Sequence, residues 1–146
     1  MRGVFGDAVD VSQVQVRRRR WWWLQPRSTT MAPSGHLHFH PDSGNYCEDF
    51  STAAPRQQAH FIHEMTHVWQ SQRRGWWYLP LVGPFQRKYS YKLKPGKKLT
   101  DYNIEQQAEI VAHAFMLSRG WTATGGTGET GLLEALPDHF ALRRKA

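Results

Sequence analysis

The chain has 146 residues, of which 40% are hydrophobic and 21% are charged, so one domain with a modest core is expected. This apolar content is too high for a wholly disordered chain, and no apolar run approaches the length of a membrane span. Nineteen Lys and Arg residues against twelve Asp and Glu residues leave a net charge of +7. The single cysteine, Cys47, excludes an intrachain disulfide and a zinc site built from several cysteines.

The N-terminal residues carry no secretory signal. Residues 1–15 contain no continuous apolar segment of the kind that a signal peptide requires. A lone cysteine also fits synthesis in a reducing compartment. We therefore expect a cytoplasmic location, or export by a route that needs no signal peptide.

Two short strands are predicted in the N-terminal part of the chain. Residues 14–17 alternate apolar and polar side chains, and residues 36–40 alternate His with Leu and Phe before Pro41. Between them lie four arginines, three tryptophans and a loop rich in Ser, Thr, Pro and Gly. We expect the strands to form a small antiparallel sheet.

A first long helix is predicted over about residues 52–73. Ser51 or Thr52 can cap this helix, and Pro55 falls where a first-turn proline is tolerated. Gly75 follows two arginines and is a plausible stop.

The predicted second long helix covers about residues 101–119. Its apolar residues recur at helical spacing, at Ile104, Ala108, Val111 and Phe115. Before it, the alternation of residues 88–93 indicates an edge strand or hairpin arm.

These elements predict a single α+β domain over residues 1–121. The residues that follow are rich in Gly and Thr and end in a basic amphipathic stretch. We therefore expect residues 122–146 to form a Gly-rich linker and a short basic C-terminal segment.

The strongest chemical signal is His63-Glu64-Met65-Thr66-His67, an H-E-x-x-H sequence within the first predicted helix. Helical geometry places His63 and His67 on one face, about 6 Å apart along the axis. Their imidazoles can therefore bind a single metal ion. Glu64 flanks that ion, in the position from which a base takes a proton from an attacking water.

Two carboxylates on the second predicted helix support a metal site. Glu105 and Glu109 lie one turn apart, on a face distinct from the apolar stripe. They repel each other, and a zinc dication held by His63 and His67 would relieve that repulsion. The alternative is an acidic face exposed to solvent.

The H-E-x-x-H sequence followed by Glu105-x-x-Ala108-Glu109 resembles the gluzincin metallopeptidases. The resemblance implies one zinc ion with Glu105 as its third protein ligand. It also implies that Glu109 holds a ligand histidine in its working tautomer. This chain has Glu where Asp is common in the family, which keeps Glu109 open as the third ligand.

A longer stretch, about residues 3–118, resembles small metallopeptidase-like domains found with bacterial contractile injection and secretion systems. The segments that carry the resemblance are Val9-Asp10-Val11-Ser12, Val14-Gln15-Val16-Arg17, residues 35–39 and His63 to Gln70. The resemblance implies a minimal zincin fold, in which a small sheet packs on two long helices. It also implies a role as a secretion-system component.

The activity implied by this resemblance is that of a zinc-dependent metallopeptidase acting on a peptide or protein substrate, with Glu64 as the general base. An additional donor to the oxyanion is expected from a tyrosine or histidine. Tyr89, Tyr91, Tyr102 and His113 are the candidates. The alternative is a catalytically inactive zinc-binding structural or adaptor domain.

Two further patterns leave alternatives open. His36, His38 and His40 share one strand face, which suits a second metal site, the edge of a substrate cleft or a plain polar face.

The second pattern is a basic run beside aromatic residues, consisting of Arg17, Arg18, Arg19 and Arg20 followed by three tryptophans. This run permits contact with nucleic acid or a membrane surface. We favour a basic edge strand that leads into a tryptophan packing patch.

Overall fold

Two long helices provide the framework of the domain. The computed structural model describes residues 1–86, 88–122 and 131–142. In chain order these residues form α1 (Arg2–Phe5), β1 (Val16–Arg17), β2 (Leu37–His38), α2 (Pro55–Arg74), α3 (Tyr78–Val82), α4 (Ile104–Ser118) and α5 (Leu132–Ala135). The architecture is α+β, and α2 packs against α4. Among the described residues, no helix has both the length and the apolar character needed to cross a membrane.

Helix α2 begins at Pro55, whose fixed φ suits the first helical turn, and is followed by Gly75. The predicted start is slightly too early because Ser51 is bonded elsewhere. Its backbone N–H and its hydroxyl both donate to Asp49 Oδ1, at 2.8 and 2.6 Å. The stop requires glycine, since Gly75 has φ +97° and a Cβ there would lie 2.7 Å from Trp77 Nε1.

Helix α4 begins at Ile104, and Asn103 caps it. Asn103 Oδ1 accepts the backbone N–H of Gln106 at 2.8 Å, and the Gln106 side chain accepts the N–H of Asn103 at 3.3 Å. The predicted start at about residue 101 is wrong because residues 99–101 form a separate 3₁₀ turn. The predicted apolar stripe is confirmed as buried, at Ile104, Ala108, Val111 and Phe115.

The two-stranded sheet is parallel, so the predicted antiparallel arrangement is wrong. Strands β1 and β2 pair with Val16 opposite Leu37 and Arg17 opposite His38. An antiparallel bridge does form, but it joins His38 to Met31 on the loop between the strands. That loop turns back and pairs with β2 in the antiparallel direction. Strand β1 pairs with β2 in the parallel direction, through the backbone N–H groups of Leu37 and Phe39.

The segment at residues 88–93 forms no strand, although its alternation predicted one. The carbonyl of Lys88 accepts a hydrogen bond from the Asn103 side chain at 3.1 Å. The carbonyl of Ser90 likewise accepts one from the Gln106 side chain at 2.7 Å. The backbone is therefore satisfied by side chains at the start of α4, and no neighbouring strand is needed.

The C-terminal residues 131–142 pack into the core. Phe140 is fully buried, and its ring centroid lies 5.1 Å from that of Phe5 and 5.2 Å from that of Trp69. Both pairs meet edge to face, the arrangement that aromatic rings favour. Phe140 thus joins the end of the described chain to α1 and α2.

The predicted linker falls on residues that the structure does not describe. Residues 123–130 and 143–146 lie outside the described ranges. The division of the chain at residue 121 therefore stays a prediction.

Replacing Phe140 with alanine will destabilise the domain, because the change leaves a cavity between Phe5 and Trp69. We expect the free energy of unfolding, measured by urea denaturation, to fall by about 3–5 kcal/mol. Phe85→Ala is the matched control because Phe85 is 86% exposed, and it will change the value by no more than about 0.5 kcal/mol. Equal losses for the two variants would contradict the packing described.

Candidate metal centre

Three metal-ligand side chains meet between α2 and α4. His63 and His67 lie one turn apart on α2, and Glu105 occupies the first turn of α4. Glu105 Oε2 lies 3.4 Å from His63 Nε2 and 3.3 Å from His67 Nε2. The ligand atoms of all three lie within 4.8 Å of one another, and both histidines are buried. Two imidazole nitrogens and one carboxylate oxygen in this arrangement can hold a metal ion.

The charges in this cluster favour a bound cation. Burial lowers the pKa of His63, but hydrogen bonds to Glu105 and Glu109 outweigh it and raise that pKa above its usual range. Burial raises the pKa of Glu105, but hydrogen bonds from His63 and His67 outweigh it and lower that pKa. The carboxylates thus keep their charge because a positive charge lies among them. A metal cation supplies that charge in place of a proton.

Glu109 lies on the other side of the His63 ring. Its Oε1 is 3.2 Å from His63 Nδ1, and this hydrogen bond lowers the pKa of Glu109. An ionised carboxylate only accepts hydrogen bonds, so Nδ1 of His63 carries the proton. The lone pair of a neutral His63 is then on Nε2, which faces Glu105. The orienting role expected for Glu109 stays a prediction, and this is the geometry that such a role requires.

A line of hydrogen bonds continues behind Glu109. Its Oε2 lies 3.3 Å from His113 Nε2, and His113 Nδ1 is 2.6 Å from the hydroxyl of Tyr91. Burial lowers the pKa of His113 and raises the pKa of Tyr91. His113 therefore contacts the metal-ligand group through Glu109, and its predicted role at the oxyanion remains untested.

His67 is held by a neutral partner. Its Nδ1 lies 2.9 Å from Gln70 Oε1, and the Gln70 side-chain nitrogen donates to the carbonyl of Ile104 and to Gln107 Oε1, both at 3.0 Å. Because Gln70 Oε1 can only accept, Nδ1 of His67 is the donor and Nε2 is free for a metal. Gln70 is three residues after His67 on the same helix face, a spacing that the sequence already displays.

Glu64 is buried beside the ligand histidines, and burial raises its pKa. Its Oε1 lies 3.6 Å from Nε2 of His60, which in turn lies 2.8 Å from the hydroxyl of Thr30. Burial, assisted by the nearby His63, lowers the pKa of His60 to about 4, so the ring next to Glu64 is neutral at pH 7. Sequence reasoning missed His60, although it precedes Glu64 by one helical turn.

Tyr89 and Tyr102, the remaining candidates for contact with the oxyanion, pack against different groups. The Tyr89 ring lies over His63, with the centroids 6.1 Å apart and the planes at 24°. The hydroxyl of Tyr102 donates to the carbonyl of Lys92 at 3.3 Å and accepts the N–H of Lys94 at 3.2 Å. Contact of Tyr102 with an oxyanion stays a prediction.

The three strand histidines are not among the residues of the candidate metal site. His40 is buried and its Nε2 accepts a hydrogen bond from Arg20 at 2.9 Å, while His36 Nδ1 accepts the backbone N–H of Gln15 at 3.4 Å. Within the described residues, neither these two nor His38 belongs to a group of metal ligands.

The basic run at residues 17–20 is largely engaged within the fold. Arg17, Arg18 and Arg20 donate hydrogen bonds to Gln15, Pro41 and His40. The neighbouring Trp21, Trp22 and Trp23 are 49%, 43% and 76% exposed, so they do not form the packing patch that we expected. Contact of the run with nucleic acid or a membrane surface, the alternative that we did not favour, remains untested.

No family model matches the chain, whereas comparison with known proteins finds a similar curated protein and a solved structure of one of its domains. The chain is 39% identical over 148 residues to the type VI secretion system spike protein VgrG2b of Pseudomonas aeruginosa. That match covers 95% of this chain but only 14% of the spike protein's length. The solved effector domain of Pseudomonas aeruginosa VgrG2b has a TM-score of 0.68 and 39% identity, over 81% of this chain and 69% of that chain.

Gln70→Ala will weaken metal binding, because it removes the acceptor that sets the tautomer of His67. We expect the dissociation constant for zinc, measured by competition with a chelator, to rise about 10–100-fold. Gln72→Ala is the control on the same helix, since the side chain of the exposed Gln72 bonds to the backbone of Asp10 and not to a described residue of the metal site. Equal affinities in the two variants would show that Gln70 has no part in orienting His67.

Proposed function

Because this chain belongs to the family of the VgrG2b effector domain, we propose that it is a secretion-system effector domain that hydrolyses peptide bonds with one zinc ion. One observation carries the chemical part of the proposal. Glu105 meets His63 and His67 between two packed helices, and the carboxylate of Glu64 is buried beside them.

The donor set supports zinc as the metal. Two histidines and one carboxylate are ligands that catalytic zinc accepts, and three protein ligands leave a position open for water or substrate. His63, His67 and Glu105 would hold the ion. A zinc ion in such a site lowers the pKa of water and polarises a substrate carbonyl.

The chain's own part in the reaction is to move a proton at Glu64. Its carboxylate takes a proton from the attacking water and later delivers it to the leaving amine. Burial raises the pKa of Glu64, and a more basic carboxylate takes a proton from water more readily. The neutral His60 and the hydroxyl of Thr30 limit the ways in which the Glu64 side chain can turn.

The relative's name bears on where this chemistry takes place. VgrG2b is a spike protein of a type VI secretion system. We propose that the present chain likewise works with such a spike and reaches its substrate by that route. The substrate class is peptides or proteins.

Purified protein will retain about one equivalent of zinc, and His63→Ala will lose it. Glu105→Ala will weaken zinc binding more than Glu109→Ala does, because Glu105 faces the Nε2 atoms of both His63 and His67, while Glu109 faces Nδ1 of His63. Elemental analysis and chelator competition provide the measurements. The reverse order of the two variants would make Glu109 the third ligand.

Glu64→Gln will keep the zinc and lower the rate of peptide cleavage by about 10²–10⁴-fold, because the amide cannot accept the proton. A peptide-library digest read by mass spectrometry measures the rate. Glu48→Gln, at an exposed carboxylate, is the control with an unchanged rate. A zinc-loaded wild type without cleavage would support the structural or adaptor alternative, and full activity in Glu64→Gln would refute the role of Glu64.

A further inference from the structure

The segment between α2 and α4 carries a cluster of exposed apolar side chains. We call this cluster the aromatic patch; its members are Trp76, Trp77, Leu81, Phe85 and Tyr89, which are 71%, 51%, 61%, 86% and 52% exposed. We propose that the aromatic patch binds the surface of a membrane that contains anionic lipids. This proposal does not depend on peptide hydrolysis.

The patch is built on a short stretch of helix. Trp77, Leu81 and Phe85 are spaced four residues apart along α3 and the 3₁₀ turn Gly83–Phe85 that continues it. This spacing puts them on one side of the helix, while Leu79 is buried on the other. Large apolar side chains exposed in such a row are rare on soluble domains and mark sites of association.

The charge around the patch fits an anionic lipid surface. Residues 65–100 contain eight Lys and Arg residues and no Asp or Glu. Lys88 and Lys92 are exposed within the segment that carries the patch, and Arg74 is exposed at the end of α2. Segments that lie in a membrane interface combine Trp, Phe and Leu on one face with Lys and Arg beside them.

The patch is fixed to the metal centre. The backbone N–H of Ile104 donates to Gln86 Oε1 at 3.0 Å, which ties the end of the 3₁₀ turn to the first residue of α4. Tyr89, a member of the patch, stacks on His63. Membrane binding through the patch would therefore bring the metal-ligand group close to the lipid surface. Together with the peptide hydrolysis proposed above, on which this last step rests, the placement favours proteins held at that surface as substrates.

A second set of exposed aromatic side chains, at residues 21–24, is less suited to lipid. The arginines beside it are engaged within the fold, since Arg18 bonds to the carbonyl of Pro41 and Arg20 to His40. Fewer free positive charges remain there to attract an anionic surface. Trp23 is 76% exposed and supplies a matched control.

The test is co-sedimentation of the full chain with vesicles. We expect binding to vesicles of phosphatidylcholine mixed with phosphatidylglycerol, and weak binding to phosphatidylcholine alone. The double variant Trp76→Ser with Phe85→Ser will reduce binding about tenfold or more while zinc content and circular dichroism stay unchanged. Lys88→Glu with Lys92→Glu will also reduce it, and Trp23→Ser will leave it intact.

Three outcomes would overturn the proposal. The first is no binding of the wild type to either vesicle. The second is an equal loss in Trp23→Ser, which would move the membrane contact to residues 21–24. The third is unchanged vesicle binding in Trp76→Ser with Phe85→Ser, which would leave the patch as a surface for a protein partner.

Discussion

The carboxylate of Glu105 between the imidazoles of His63 and His67 is the contact on which the arrangement of the two long helices depends. Burying a carboxylate and two imidazoles is unfavourable unless they are paired. The carboxylate and the imidazoles can therefore pair only when the first turn of α4 lies beside the middle of α2. Apolar packing, for example of the fully buried Val111, drives the helices together but tolerates other offsets. The polar contact selects one of them.

The groups behind the two histidines give them the same orientation by different means. His63 has the carboxylate of Glu109 on its Nδ1, and His67 has the amide oxygen of Gln70. Both partners accept a hydrogen bond, so both rings keep Nε2 for Glu105 and a metal. The hydrogen bond to the charged Glu109 contributes to the raised pKa of His63. The protein thus orients the candidate ligand atoms through its own hydrogen bonds, which would lower the cost of binding a metal.

The features that the sequence predicted well are those that one helix contains within itself. His63 and His67 share a face, with Glu64 beside them, because helical spacing is a property of the backbone, whatever surrounds it. The predictions that were wrong concern contacts between segments that are distant in the sequence. Residues 88–93 alternate like a strand. Two of their carbonyls accept hydrogen bonds from side chains at the start of α4, and the segment forms no strand.

The choice between Glu105 and Glu109 as the third ligand shows most clearly what the sequence determines and what the tertiary structure decides. Both carboxylates lie one turn apart on one face, so the amino-acid pattern predicts that α4 contributes acids to a metal site but cannot distinguish their positions. The offset of α4 along α2 places Glu105 at the Nε2 atoms of both histidines and Glu109 at a single Nδ1. The same holds for the direction of β1 against β2, because hydrogen bonds between distant segments depend on the path of the chain in space.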